Sequence, residues 1–158
     1  MARREEVWIA EDGRDRGKHF KLREMSALYG ERWAIRAFSC LVKAGMTIPE
    51  NVQHGGWGAL QTLVRDKGGE AFFSALFSAP VDEVQELMDE LLVCVTRIPD
   101  AKSPWDRPLV NQGDDGDDIE EVSTRLKLRM AVLNLHTGFL SAGEGSRSSL
   151  EISPALNS

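Results

Sequence analysis

The sequence is poor in the residue types that catalysis and metal binding draw on. Its 158 residues include three histidines and two cysteines. No histidine has a second ligand at HExxH spacing and no CxxC pair occurs, which excludes the common zinc signatures. Cys40 and Cys94 fall inside helical apolar patterns and read as buried free thiols rather than a disulfide. No apolar run approaches the ~20 residues of a membrane span. The opening MARREE is charged and lacks the apolar core of a secretory signal, which points to a cytoplasmic protein. A basic excess is also missing. The net charge is −6, divided as +3 over residues 1–43, −11 over 44–121 and +2 over 122–158. That pattern provides no basic stripe for nucleic-acid phosphates; its acidic middle suits solubility or a basic protein surface.

What is present is an ordinary globular composition, 42% apolar and 28% charged, long enough to bury one core without staples. Val7 to Ala10 and His19 to Leu22 alternate as strands around the charged, glycine-containing stretch 11–18, a β-hairpin with a long loop. A lone hairpin is marginal in water, so Val7, Ile9, Phe20 and Leu22 are expected to lie against a helix. Ser26 is placed to cap that helix, in which Leu28, Ile35, Phe38 and Val42 recur with Trp33, Ala34, Ala37 and Leu41 beside them until Gly45.

Met46 to Gly58 reads as a turn-rich connector. Trp57 to Arg65 and Glu70 to Phe77 read as shorter helices, with Phe72, Phe73 and Phe77 entering the core. Pro80 opens a stronger helix whose apolar stripe is Val81, Val84, Leu87, Met88, Leu91, Leu92 and Val95, opposite Asp82, Glu83, Glu86, Asp89 and Glu90. Pro99 ends it. Ala101 to Gly116 is an exposed loop or extended arm, and Ser141 to Ser158, rich in Ser and Gly, is expected to be disordered.

The segment Asp118 to Phe139 reads as a final helix with two apolar faces. Ile119, Val122, Leu126, Met130 and Leu133 make one stripe; Leu128, Val132 and Leu135 widen it toward a second surface. Asp117 or Asp118 would cap it, Glu120 and Glu121 would favour its positive end, and Gly138 would stop it. The whole reads as mainly α. One helical domain over residues 1–140 carries an N-terminal hairpin at about 5–23, and 141–158 form a flexible tail.

Candidate chemistry is thin. His19 faces solvent from a strand, and His136, in the last helical turn, serves packing or the helix dipole. The acidic run Asp114, Asp115, Gly116, Asp117, Asp118 fails the EF-hand pattern. With Gly116 at position six, Gly113 and Val122 occupy positions three and twelve, and the bidentate Glu is missing. Gly55, Gly56 and Gly58 are not followed by the Lys-Ser/Thr of a phosphate loop. No cofactor, metal or catalytic site is expected. Among the four tryptophans, Trp33 reads as core, and Trp105, within Ser103-Pro-Trp-Asp-Arg-Pro108, as either an anchor of its own loop or a partner contact.

The stretch REEVWIAEDGRDRGKHFKLREMSALYGERWAIRAF (Arg4 to Phe38), with IEEVSTRLKLRMAVLNLHTGF (Ile119 to Phe139), resembles the tail assembly chaperones of long-tailed bacteriophages. In that family a hairpin leads straight into a helix of a small helical domain, as Gly17-Lys-His-Phe-Lys-Leu22 leads into the helix from Ser26. The resemblance implies a non-enzymatic protein of the infected bacterial cytoplasm. It would bind the tape-measure protein and the tail-tube protein before the tube polymerises, with no nucleic acid or membrane partner. Client contact is then expected on apolar residues of the last two long helices, with Val84, Leu91, Leu128, Val132 and Leu135, together with Trp105, as candidates that compete with their own core. The alternative is a structural virion component such as a head-tail connector or tail-completion protein. A homo-oligomer follows if the two-faced final helix keeps apolar surface after folding.

Overall fold

The computed structural model describes residues 3–45 and 74–137. Within them β1 (Glu5–Ile9) and β2 (His19–Arg23) are followed by α1 (Ala27–Lys43). Then come α2 (Val81–Val93), β3 (Val95–Ile98), the two-residue β4 (Arg107–Pro108) and α3 (Val122–Thr137). All strands pair antiparallel in the order β1-β2-β3-β4. The mainly α expectation is therefore corrected. Helix makes up 45% and strand 15% of the described residues, and the hairpin is half of a four-stranded sheet in an α/β fold.

The missed strand has a local cause. Only Cys94 separates α2 from β3, so Val95 continues the helical spacing of α2 even though Val95-Thr-Arg-Ile98 is a β-branched run. Beyond it, Pro108 sits on the edge strand, where a missing N–H costs no ladder bond.

Register decides which side chains meet the helices. Trp8 pairs with Phe20, Phe20 with Arg97, and Leu22 with Val95, so these residues share one face. Phe20, Leu22 and Val95 are buried there, with Trp8 packed against them and the Arg97 guanidinium 5.4 Å from the Phe20 ring centre. Val7 and Ile9 occupy the opposite face and are exposed, contrary to the expectation that they lie against a helix. The two-residue period leaves no other outcome once Phe20 faces inward.

The Ser26 hydroxyl caps α1 by accepting from the Tyr29 amide at 3.3 Å. The helix buries Trp33, Ala34, Ala37 and Leu41, whereas Leu28, Ile35 and Val42 face outward. Across to α2, the Trp33 indole N–H donates to the Leu87 carbonyl at 3.0 Å. Arg36 binds the Glu90 carboxylate with both terminal nitrogens, and Lys43 lies 3.1 Å from Glu83. Much of the acidic charge of α2 is thus answered by α1.

The N-terminus of α3 is held from the far end of the sequence. Asp117 does not cap it; its carboxylate accepts from the Gln112 and Gly113 amides and closes the acidic loop on itself. Asp118 instead takes a bidentate bond from Arg107, both contacts at 2.8 Å, and one from the Val110 amide. The cap is Asp15, in the β1–β2 loop. Its fully buried carboxylate accepts from the amides of Glu120 (2.9 Å) and Glu121 (3.0 Å) and pairs with Lys18 at 2.9 Å. Burial alone would raise the pKa of Asp15. The bonds from Lys18, the two amides and Thr124 outweigh it and hold the group at about 2.

Gly13 lets this loop turn against the helix. Its φ is +69°, and an added Cβ would stand 2.1 Å from a Glu121 carboxylate oxygen. Gly13→Ala is expected to cost about 1–2 kcal/mol from the left-handed backbone, with Glu121 displaced from Arg14. Urea unfolding of the variant reads the loss.

At the other end of α3, buried His136 donates from Nδ1 to the Val132 carbonyl (2.8 Å) and accepts at Nε2 from the Met25 amide (2.8 Å). Both contacts require the neutral ring. Burial lowers its pKa below the ordinary 6.5, against the Val132 bond and nearby Glu24. The folded imidazole therefore stays neutral where the unfolded one takes a proton, so its contribution is complete above pH about 6.5 and declines below it. The melting temperature is expected to fall between neutral pH and pH about 5, and less steeply in His136→Gln.

The expected connector Met46 to Gly58, the helix Trp57 to Arg65, Phe72, Phe73, the Gly138 stop and the tail Ser141 to Ser158 lie outside the described residues. Phe77 is described and is exposed rather than in the core.

Candidate functional site

Helices α2 and α3 pack with their inner faces together. Val84, Leu87, Leu91, Leu128, Val132 and Leu133 are each buried to within a few per cent. Five of the six residues expected to contact a partner, Val84, Leu91, Leu128, Val132 and Leu135, therefore belong to the core of this chain and are closed to a partner while it is folded. The second surface of α3 does exist. Of the first stripe, Val122 and Leu126 face outward, whereas Ile119 and Leu133 are buried. Buried Thr124 and His136 lie at helical spacing with Leu128 and Val132, and both have hydrogen-bond partners within the chain.

The outward stripe lines a groove of about 460 Å³ between α3, α2 and residues 74–77. Phe77, Met88, Leu126 and Met130 form its apolar lining, with Lys127 and Arg129 among them. Phe77 is 56% exposed and Leu126 46% exposed, and the two stand on adjoining elements. A second hollow of about 340 Å³ shares Phe77, Met88 and Arg129 and extends the surface to Val81 and Arg125. Val122, one turn before Leu126, carries it toward the start of α3. Two methionines suit such a lining, because the unbranched thioether adapts to irregular apolar partners.

The edges are fixed by hydrogen bonds from α3 to α2 and to the loops at Asn111 and Asp12. Arg129 Nε donates to the Met88 carbonyl at 3.2 Å and its guanidinium lies 3.8 Å from Asp89. Arg125 donates to the Asn111 side chain at 2.8 Å, and Lys127 pairs with Asp12 at 3.0 Å. Trp105 is 60% exposed but stands on the arm before β4 and does not line the groove. Its own amide bonds to the Ser103 hydroxyl.

Reactive groups are placed for structure. Burial pushes the Cys40 and Cys94 thiols up to about 11, and Cys40 donates to Glu83 at 3.2 Å. His19 Nδ1 bonds the Gly17 carbonyl. Among the described residues no three His, Cys, Asp or Glu side chains gather as a metal site, and no helix is long and apolar enough to cross a membrane. Family models, curated proteins and solved structures were compared with the chain, and none matches. The site is therefore argued from its own geometry.

In the sequence, the groove residues Phe77, Leu126 and Met130 stand at packing positions. A usable signal was present: α3 has apolar residues nearly all round, more than one neighbouring helix can cover.

Proposed function

We propose that this chain is a non-enzymatic binding protein that takes an apolar segment of a client in the groove between α2 and α3. Following the resemblance of its two ends, the client is the tape-measure protein or the tail-tube protein of a long-tailed phage, held in the host cytoplasm before the tail polymerises. The observation that carries the binding reading is the exposure of Phe77 and Leu126 on adjoining walls of one apolar concavity. An exposed apolar row bordered by polar side chains is the usual form of a helix-accepting surface.

The test is co-expression with each tail protein. Client solubility and co-purification are expected with the wild-type chain and lost with Leu126→Asp, whose circular dichroism and melting temperature should remain close to wild type because the position is half exposed. Failure of both clients to co-purify, with the chain recovered in purified virions, would replace this reading by the structural-component one.

A further inference from the structure

The charge around the groove is opposite in sign to that of the protein. The chain has a net charge of −6, yet α3 (VSTRLKLRMAVLNLHT) contains Arg125, Lys127 and Arg129 and no carboxylate. The acidic side chains of α2 do not balance them at the groove. Glu83, Glu86 and Glu90 turn to Lys43 and Arg36 of α1, on the other side of the helix, leaving exposed Asp82 in the first turn and Asp89 beside Arg129. An acidic protein thus lines the α3 wall of its exposed apolar concavity with Arg125, Lys127 and Arg129 against Asp89 among the described lining residues, while Asp12 of the β1–β2 loop pairs with Lys127 from outside the lining.

We infer that the occupant of this groove is an amphipathic helix whose apolar stripe is flanked by Asp and Glu, an inference that rests on the binding reading above. The apolar stripe would meet Phe77, Met88, Leu126 and Met130, and the flanking carboxylates would meet Arg125 and, in exchange for exposed Asp12, Lys127 at the edges. The dimensions agree. The 13 residues of α2 extend about 20 Å, room for three to four turns of a helix laid alongside. An anionic bilayer shares the combination of apolar and cationic contacts, but the shape favours a helix. The Arg129 side chain is only 13% exposed, tied to the Met88 carbonyl inside the concavity, where a flat surface does not reach. The interaction also discriminates, since a client helix flanked by lysines would meet like charges.

The experiment uses the full chain and two labelled peptides of roughly 20 residues, with the same leucine stripe flanked by Glu in one and by Lys in the other. Fluorescence anisotropy is expected to show the Glu peptide binding at least about tenfold more tightly, with affinity falling as salt rises. Arg125→Glu should narrow that preference, and Leu126→Asp should abolish binding with the fold intact by circular dichroism. Equal binding of both peptides would overturn the acidic-helix inference while leaving the groove as a site. Unchanged binding by Leu126→Asp would overturn the location. If neither peptide binds, the inference fails, in favour of a membrane surface where the chain sediments with phosphatidylserine-phosphatidylcholine vesicles and outright where it does not. Client rescue that depends on Leu126 would still support the proposed function in these cases, so the two readings fail separately.

Discussion

Trp33→Ala is expected to destabilise the fold by about 3–5 kcal/mol, the range for removing a large buried aromatic. The side chain is fully buried, and its indole N–H holds the Leu87 carbonyl, so truncation opens a cavity between α1 and α2 and removes a bond that spans them. Trp33→Phe keeps most of the volume and loses mainly the hydrogen bond, for about 1–2 kcal/mol. Domains of this size are stable by about 5–15 kcal/mol in total. The alanine variant should therefore show a much lower urea midpoint, and the phenylalanine variant a modest shift. A midpoint for Trp33→Ala within experimental scatter of wild type would mean that α1 is not docked through this residue.

Asp15→Ala carries the second large effect, about 2–3 kcal/mol, because it leaves the Glu120 and Glu121 amides without their shared acceptor and takes one of three acceptors from Lys18, which keeps the Asp118 carbonyl and the Glu120 carboxylate. The loss couples distant parts of the sequence, since the β1–β2 loop then no longer holds the start of α3. Hydrogen exchange should show faster opening at Glu120, Glu121 and the first turn of α3. The pH dependence provides a second reading. Burial favours the neutral acid, but Lys18, Glu120, Thr124 and Glu121 together lower the folded pKa from 3.8 to about 2. The group therefore contributes its full stabilisation above the unfolded pKa and loses it as pH falls from about 4 toward 2, a change of about 2 kcal/mol. The wild type should lose that increment over this window and Asp15→Ala should not. Equal acid slopes in the two proteins would remove Asp15 as the cap.

Local signals were legible where the chemistry is local. Ser26 before an apolar-periodic run is a cap, and Pro80 before another marks a helix start; both helices begin beside those residues. The hairpin was also legible from its alternation. What the sequence does not display is pairing at a distance. No local pattern announces that β2 will accept β3 after α1 and α2 have intervened, or that Asp15 rather than Asp117 or Asp118 will cap α3. Position along the chain favours the nearby aspartates, but Arg107 and the loop amides engage them.

The groove residues differ from the contact residues expected from the sequence, all of which but Trp105 are buried. Two apolar faces on α3 followed from its composition, but periodicity does not say which face turns inward. The same ambiguity affected α1, where Leu28, Ile35 and Val42 lie outside and the smaller Ala34 and Ala37 lie against the core. Large apolar residues attract attention in a sequence, yet close helix packing selects small ones at the contact. In both helices the outward row contains exposed apolar side chains. Charge was misleading for a related reason: the acidic middle of the sequence suggested a basic partner, whereas α1 answers much of the charge of α2 and the groove edge is cationic.

The most direct measurement of the central claim is site-specific photocross-linking from position 126 and, separately, from position 105, with the tape-measure and tail-tube proteins co-expressed. A covalent adduct between client and position 126, with none from position 105, is the predicted result, because Leu126 lines the groove and Trp105 does not. Cross-links from position 105 alone would contradict the account and move the client to the arm before β4.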